Sequence, residues 1–127
     1  MDFVKLALDP NFCGYSYDDA SNVGMTILGR FLRSDVGGSG RPFFREWALE
    51  SIDGDICGGN ITILEKVGDD IVLADEYSDE PVPTKLKMTT KQFVLIFDEW
   101  QKKVVKLKPK EVIIKYENDQ FFIETYN

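Results

Sequence analysis

Two strand–turn–strand patterns bracket one capped helix in the second half of this chain, and that arrangement leaves few folds open. In the first, "NITILEK" (60–66) and "DIVLADE" (70–76) alternate apolar and polar residues, through Ile61 and Ile63 and then Ile71 and Leu73, around the turn "VGDD". Gly68 can take positive φ there, as a tight hairpin turn requires. In the second, "EVIIKY" (111–116) and "FFIETY" (121–126) flank "ENDQ". Between them, Thr89 and Gln92 have the spacing of a capping box, and Met88 and Phe93 stand where a hydrophobic staple would join them. Phe93, Ile96, Phe97, Trp100 and Val104 recur at helical spacing. Lys102, Lys103 and Lys106 suit the negative end of the helix dipole, and Pro109 cannot continue the helix. A helix over about 90–106 is predicted, with Trp100 in its core stripe. Ile71 and Leu73 should face the same core.

The first half is read with the same rules. "DFVKLAL" (2–8) reads as a first strand, "NFCGYSYDDAS" (11–21) as a loop, and "GGSGRP" (37–42) as a flexible connector. In 22–34, Val23, Ile27, Leu28, Phe31 and Leu32 form a helical stripe. Gly24 and Gly29 weaken that helix by about 1 kcal/mol each, and a strand is the alternative. "FFREWALES" (43–51) is read as a strand leading into the turn "DGD" (53–55). Hairpins pair antiparallel, so the expected class is α+β: an antiparallel sheet built from hairpins, covered by one or two helices, in one domain over residues 1–127.

Composition narrows the function. The chain has no histidine, which removes the commonest general base near neutral pH and the commonest transition-metal ligand. No Gly-x-Ser-x-Gly elbow is present, and "GGSGRP" lacks the Lys-Ser/Thr ending of a phosphate loop. "DGDICGGN" (53–60) places Asp53, Asp55 and Gly58 as a calcium loop would, but Cys57 and Leu64 stand where oxygen ligands belong, which favours a plain turn. Cys13 and Cys57 are expected as free thiols rather than one disulfide. The start lacks a signal-peptide pattern and no apolar run is long enough to span a bilayer, so a cytoplasmic protein is expected. A net charge of −7 repels free nucleic acid and anionic membranes and attracts basic proteins.

That charge is concentrated. Gly68–Pro83, "GDDIVLADEYSDEPVP", holds six carboxylates and no base, whereas residues 84–111 carry eight lysines and three acids. The lysines read as a solvated helix face. Asp75 and Glu76 are the best-placed carboxylate pair for acid–base chemistry, but nothing in the sequence supplies the apolar setting that would separate their pKa values. Two readings of the acidic segment stay open: a solvated hairpin end and loop, or a docking surface for lysines and arginines of a partner. For docking, the candidate partner-binding residues are Asp69, Asp70, Asp75, Glu76, Tyr77, Asp79 and Glu80. Two prolines stiffen the "SDEPVP" loop and reduce the ordering cost of binding.

The run "DEYSDEPVPTKLKMTTKQFVLIFDEWQKKV", followed by "KPKEVIIKYENDQFFIE", resembles the small cytoplasmic immunity proteins of bacterial toxin–immunity systems, and among them those of contact-dependent growth inhibition. The resemblance covers roughly residues 60–127 and rests on the acidic Tyr-Ser-Asp-Glu loop, the Thr-capped helix ending in Glu-Trp and lysines, and the hairpin after Pro-Lys-Glu. It implies a non-enzymatic protein without cofactor or metal. Such a protein, a monomer or weak dimer, binds one cognate toxin domain, often a basic nuclease, and blocks it. A small carboxylate- or metal-dependent enzyme, and an adaptor module recruiting a chain at a hairpin edge, are the alternatives.

Overall fold

The computed structural model describes residues 1–9, 11, 14–77, 79, 81 and 84–127. The chain forms, in order, β1 (Asp2–Asp9), β2 (Gly14–Ala20), α1 (Val23–Arg30), α2 (Phe43–Glu50), β3 (Ile56–Gly58), β4 (Thr62–Val67), β5 (Asp70–Asp75), β6 (Lys85–Thr89), α3 (Thr90–Trp100), β7 (Glu111–Glu117) and β8 (Gln120–Tyr126). Two helices run on without a break into wider π-helical turns, α1 through Phe31–Val36 and α3 through Gln101–Val105.

The class is α+β with antiparallel pairing throughout, as the sequence predicts. The strands divide into two four-stranded sheets, ordered β2-β1-β7-β8 and β3-β4-β5-β6. α1 packs on β1 and β2 of the first sheet and on β5 and β6 of the second, and α3 packs on β8, β5 and β6. The helices thus form a layer between the sheets, and each sheet buries one face: Val4, Leu6, Val112, Ile114 and Ile123 on one side, Leu64, Ile71, Leu73 and Met88 on the other. Trp100 is fully buried between them, its indole N–H donating to the Gly37 carbonyl at 3.1 Å.

The local signals explain the elements that formed as expected. The Thr89 hydroxyl accepts the Gln92 N–H at 3.0 Å and the Gln92 side chain accepts the Thr89 N–H at 2.8 Å, completing the capping box. The 22–34 stripe is helical, started by Asn22, whose side chain accepts the Met25 N–H. The last hairpin turns through Asn118 and Asp119, both at positive φ, the type I′ geometry that matches strand twist.

Four expectations change. Residues 14–20 are strand β2, not loop, because β1 offers them a pairing edge that outweighs the poor strand propensity of Gly14, Asp18 and Asp19. Residues 43–50 are helix α2, not strand: Phe44 and Ala48, four apart, are the residues buried. Strands β3 and β6 were not foreseen, and β6 owes its place to pairing with β5. In β4 the inward residues are Thr62, Leu64 and Lys66, the opposite phase to Ile61 and Ile63.

Candidate docking surface

The acidic segment does not form one patch. Asp69 lies in the β4–β5 turn, Asp70 opens β5, Asp75 closes it, and Glu76, Tyr77 and Asp79 follow; Glu80 lies outside the described residues. Five strand steps separate Asp70 from Asp75, about 17 Å. Two of the carboxylates are neutralised within the fold. Asp70 pairs with Lys87 of β6 at 3.3 Å. Asp75 pairs with Arg30 of α1 at 3.1 Å while its other oxygen accepts the Tyr77 N–H at 2.9 Å. That arrangement makes Asp75 a clamp between α1 and β5 rather than half of a catalytic pair. Asp69, Glu76, Tyr77 and Asp79 remain exposed, and none of the three acids among them forms an ion pair with another described residue.

A second acidic surface, not foreseen from the sequence, surrounds α2. Helical spacing puts Phe43, Glu46, Trp47 and Glu50 on one side of α2, opposite the buried Phe44 and Ala48. Phe43 and Leu49 are each 56% exposed, and Ile52, just past the helix, is 71% exposed. Asp55 lies against the same helix side, across a shallow groove of about 300 Å³ lined by Phe43, Glu46, Trp47, Glu50, Ser51 and Asp55.

The turn 52–55 is fastened to the β4–β5 turn. The Asp53 carboxylate accepts the Gly68 N–H at 2.8 Å, Gly54 donates to the Lys66 carbonyl at 2.7 Å, and Lys66 donates to the Asp55 carbonyl at 2.8 Å. Gly54 sits at φ +94°, which only glycine adopts without strain. The result gathers Glu46, Glu50, Asp53, Asp55 and Asp69 from three chain segments at one end of the second sheet. Two neighbouring bases are engaged elsewhere: Arg45 pairs with Asp98 at 2.9 Å, and the buried Lys66 ammonium donates to the Ala48 carbonyl and the Thr90 hydroxyl; Lys91, next to the Thr90 that bonds the Asp69 carbonyl, is exposed. Arg41 stands exposed just before the helix.

The signal for this surface was present as the four-residue spacing Phe44–Ala48 and the parallel Phe43–Trp47, but the aromatic content of "FFREW" also suits a strand. The Asp53 carboxylate is committed to a backbone N–H, so 53–60 acts as a structural turn. Among the described residues no group of three or more His, Cys, Asp or Glu is placed to hold a metal ion, and no helix is long and apolar enough to cross a membrane. In comparisons with known proteins, no family model matches the chain, and neither a curated protein nor a solved structure does.

Proposed function

We propose that this chain is a non-enzymatic inhibitor that binds and neutralises a basic toxin domain, an immunity protein in function. The observation that carries the reading is the α2 surface, where exposed Phe43, Leu49 and Ile52, with half-buried Trp47 beside them, lie among Glu46, Glu50, Asp53, Asp55 and Asp69. Aromatic side chains that a partner desolvates supply most of an interface's binding energy, while the surrounding charges set orientation and raise the encounter rate by about 10- to 1,000-fold at low salt. A basic, apolar-tipped surface is the complement. The likeness of residues 60–127 to immunity proteins supports the same reading. Glu76, Tyr77 and Asp79, about 17 Å along β5 by strand rise, are within the roughly 30 Å width of a standard interface of about 800 Å² per partner.

The test is rescue. Variable C-terminal domains of secreted proteins encoded beside this chain's gene are expressed in a susceptible cell, with and without the chain. Protection by one cognate pair, accompanied by a 1:1 complex in solution, is the expected result. Charge reversal at Glu46, Glu50 and Asp55 should weaken that complex at least about tenfold and flatten its salt dependence, as loss of steering charge requires. Reversal at Glu76 and Asp79 measures the share of the second acidic end. Failure of every such domain to bind would overturn the reading.

A further inference from the structure

A cleft of about 510 Å³ opens on the side of the molecule where the two π-helical turns meet the first sheet. Its walls include Leu8 of β1, Tyr15 of β2, Arg33 from the turn after α1, Val104 and Val105 from the turn after α3, and Lys108. Ligand sites of small molecules commonly have this size, with mostly apolar walls and a few polar groups.

Three features set this cleft apart from a packing gap. The Arg33 side chain is half-buried, its Nε is buried without a hydrogen-bond partner among the described residues, and it makes no ion pair with another of them. A guanidinium withdrawn from water without a counter-charge is destabilising, and burial together with the neighbouring Arg30 opposes its charge further. Three carboxylates, of Asp75, Asp35 and Asp9, are occupied by other donors. Arg30 holds Asp75, Asp35 accepts the N–H groups of residues 60–62, and Asp9 accepts from Ser16 and from the backbone of Asn11. Second, Lys108, at φ +47°, ends the helix by donating its N–H to the Val104 carbonyl at 3.0 Å, and this turn sets its side chain on the cleft wall. Third, both helical walls are π-helical, a local form enriched at functional sites.

We infer that this cleft binds a small carboxylate with an apolar body, its carboxylate on the Arg33 fork and near Lys108, its hydrocarbon against Leu8, Val104 and Val105. The Arg fork fits a carboxylate in two parallel hydrogen bonds. The apolar walls favour a hydrocarbon-bearing anion over inorganic phosphate, which is doubly charged and strongly hydrated. This site is separate from the α2 surface and does not depend on the toxin-binding reading.

The probe is octanoate, titrated into the intact chain while the Leu and Val methyl signals are followed by NMR, with octanol and inorganic phosphate as controls at matched ionic strength. Saturable 1:1 shifts at Leu8, Val104 and Val105 are expected with octanoate. Arg33→Met should bind octanoate at least about tenfold more weakly, the loss of a charge-assisted bidentate contact. Lys108→Gly, which suits the positive φ, should weaken it several-fold with the fold intact. Octanol should bind the wild type no more tightly than octanoate binds Arg33→Met. No octanoate shifts, equal binding by Arg33→Met, equal binding of octanol, or shifts produced by phosphate alone would each overturn the proposal. If Arg33→Met does not fold, the wild-type comparison of octanoate with octanol decides.

Discussion

Asp35 offers the sharpest test of how this fold is held. It lies in the π-helical turn after α1 and is fully buried. One carboxylate oxygen accepts the N–H groups of Asn60 at 2.7 Å and Ile61 at 3.1 Å, and the other accepts that of Thr62 at 3.1 Å. This joins the start of β4 to the helical layer. Asp35→Ala would strand three donors. Asn60 is exposed and its N–H can return to water, but Thr62 is 2% exposed and its N–H cannot. Each stranded buried donor costs about 1–3 kcal/mol, and relief of the buried charge returns part of that. The net expectation is a loss of about 2–4 kcal/mol, a Tm drop of roughly 10 °C for a chain this size. Asp35→Asn keeps one oxygen for Asn60 and Ile61 but turns an NH₂ toward Thr62 N–H, so it should cost about 1–3 kcal/mol. Urea unfolding followed by tryptophan fluorescence, with Trp100 buried as the reporter, measures both. If both variants fall within about 0.5 kcal/mol of wild type, as surface substitutions do, the anchoring role is refuted.

Other substitutions probe the packing and the thiol. At Gly29 an added methyl would lie 2.7 Å from Val4 Cγ2, so Gly29→Ala should destabilise by about 1–2 kcal/mol despite better helix propensity. Combined with Val4→Ala, the loss should be less than the sum of the two single losses in the same urea assay. Thr89→Ala removes half of the capping box and should cost about 1 kcal/mol, read as a lower urea midpoint with unchanged slope. Burial pushes the Cys57 thiol pKa up. With Cys13 replaced by Ser, Cys57 should therefore react with a disulfide reagent at pH 8 roughly a hundredfold more slowly in the native protein than in urea. Rapid native labelling would contradict the burial of the Cys57 side chain.

The hairpin–helix–hairpin plan of residues 60–126, the inward face of Ile71 and Leu73, and the burial of Trp100 were legible in the sequence. Their signals are local: turn residues, a cap, and apolar periods of 2 and 3.6. Of the acids gathered around α2 the sequence singled out Asp69 alone for docking; Glu76 and Asp79 are exposed too, but at the other end of β5. What the tertiary structure alone decided depends on partners far away in the chain. β2 is a strand because β1 lies beside it, and Asp75 is a clamp because Arg30 reaches it from α1. The side of α2 bearing Phe43, Glu46 and Glu50 faces outward because Phe44 and Ala48 fill the core and Trp47 leans partly against it. Asp53 and Asp55 join Asp69 at one end because the Gly54 turn hydrogen-bonds to the turn at Gly68. A charge count along the chain places six carboxylates together, but an extended strand holds its two ends about 17 Å apart and a helix brings residues three and four apart onto one side. Backbone geometry, rather than proximity in sequence, therefore determines which charges act as one surface.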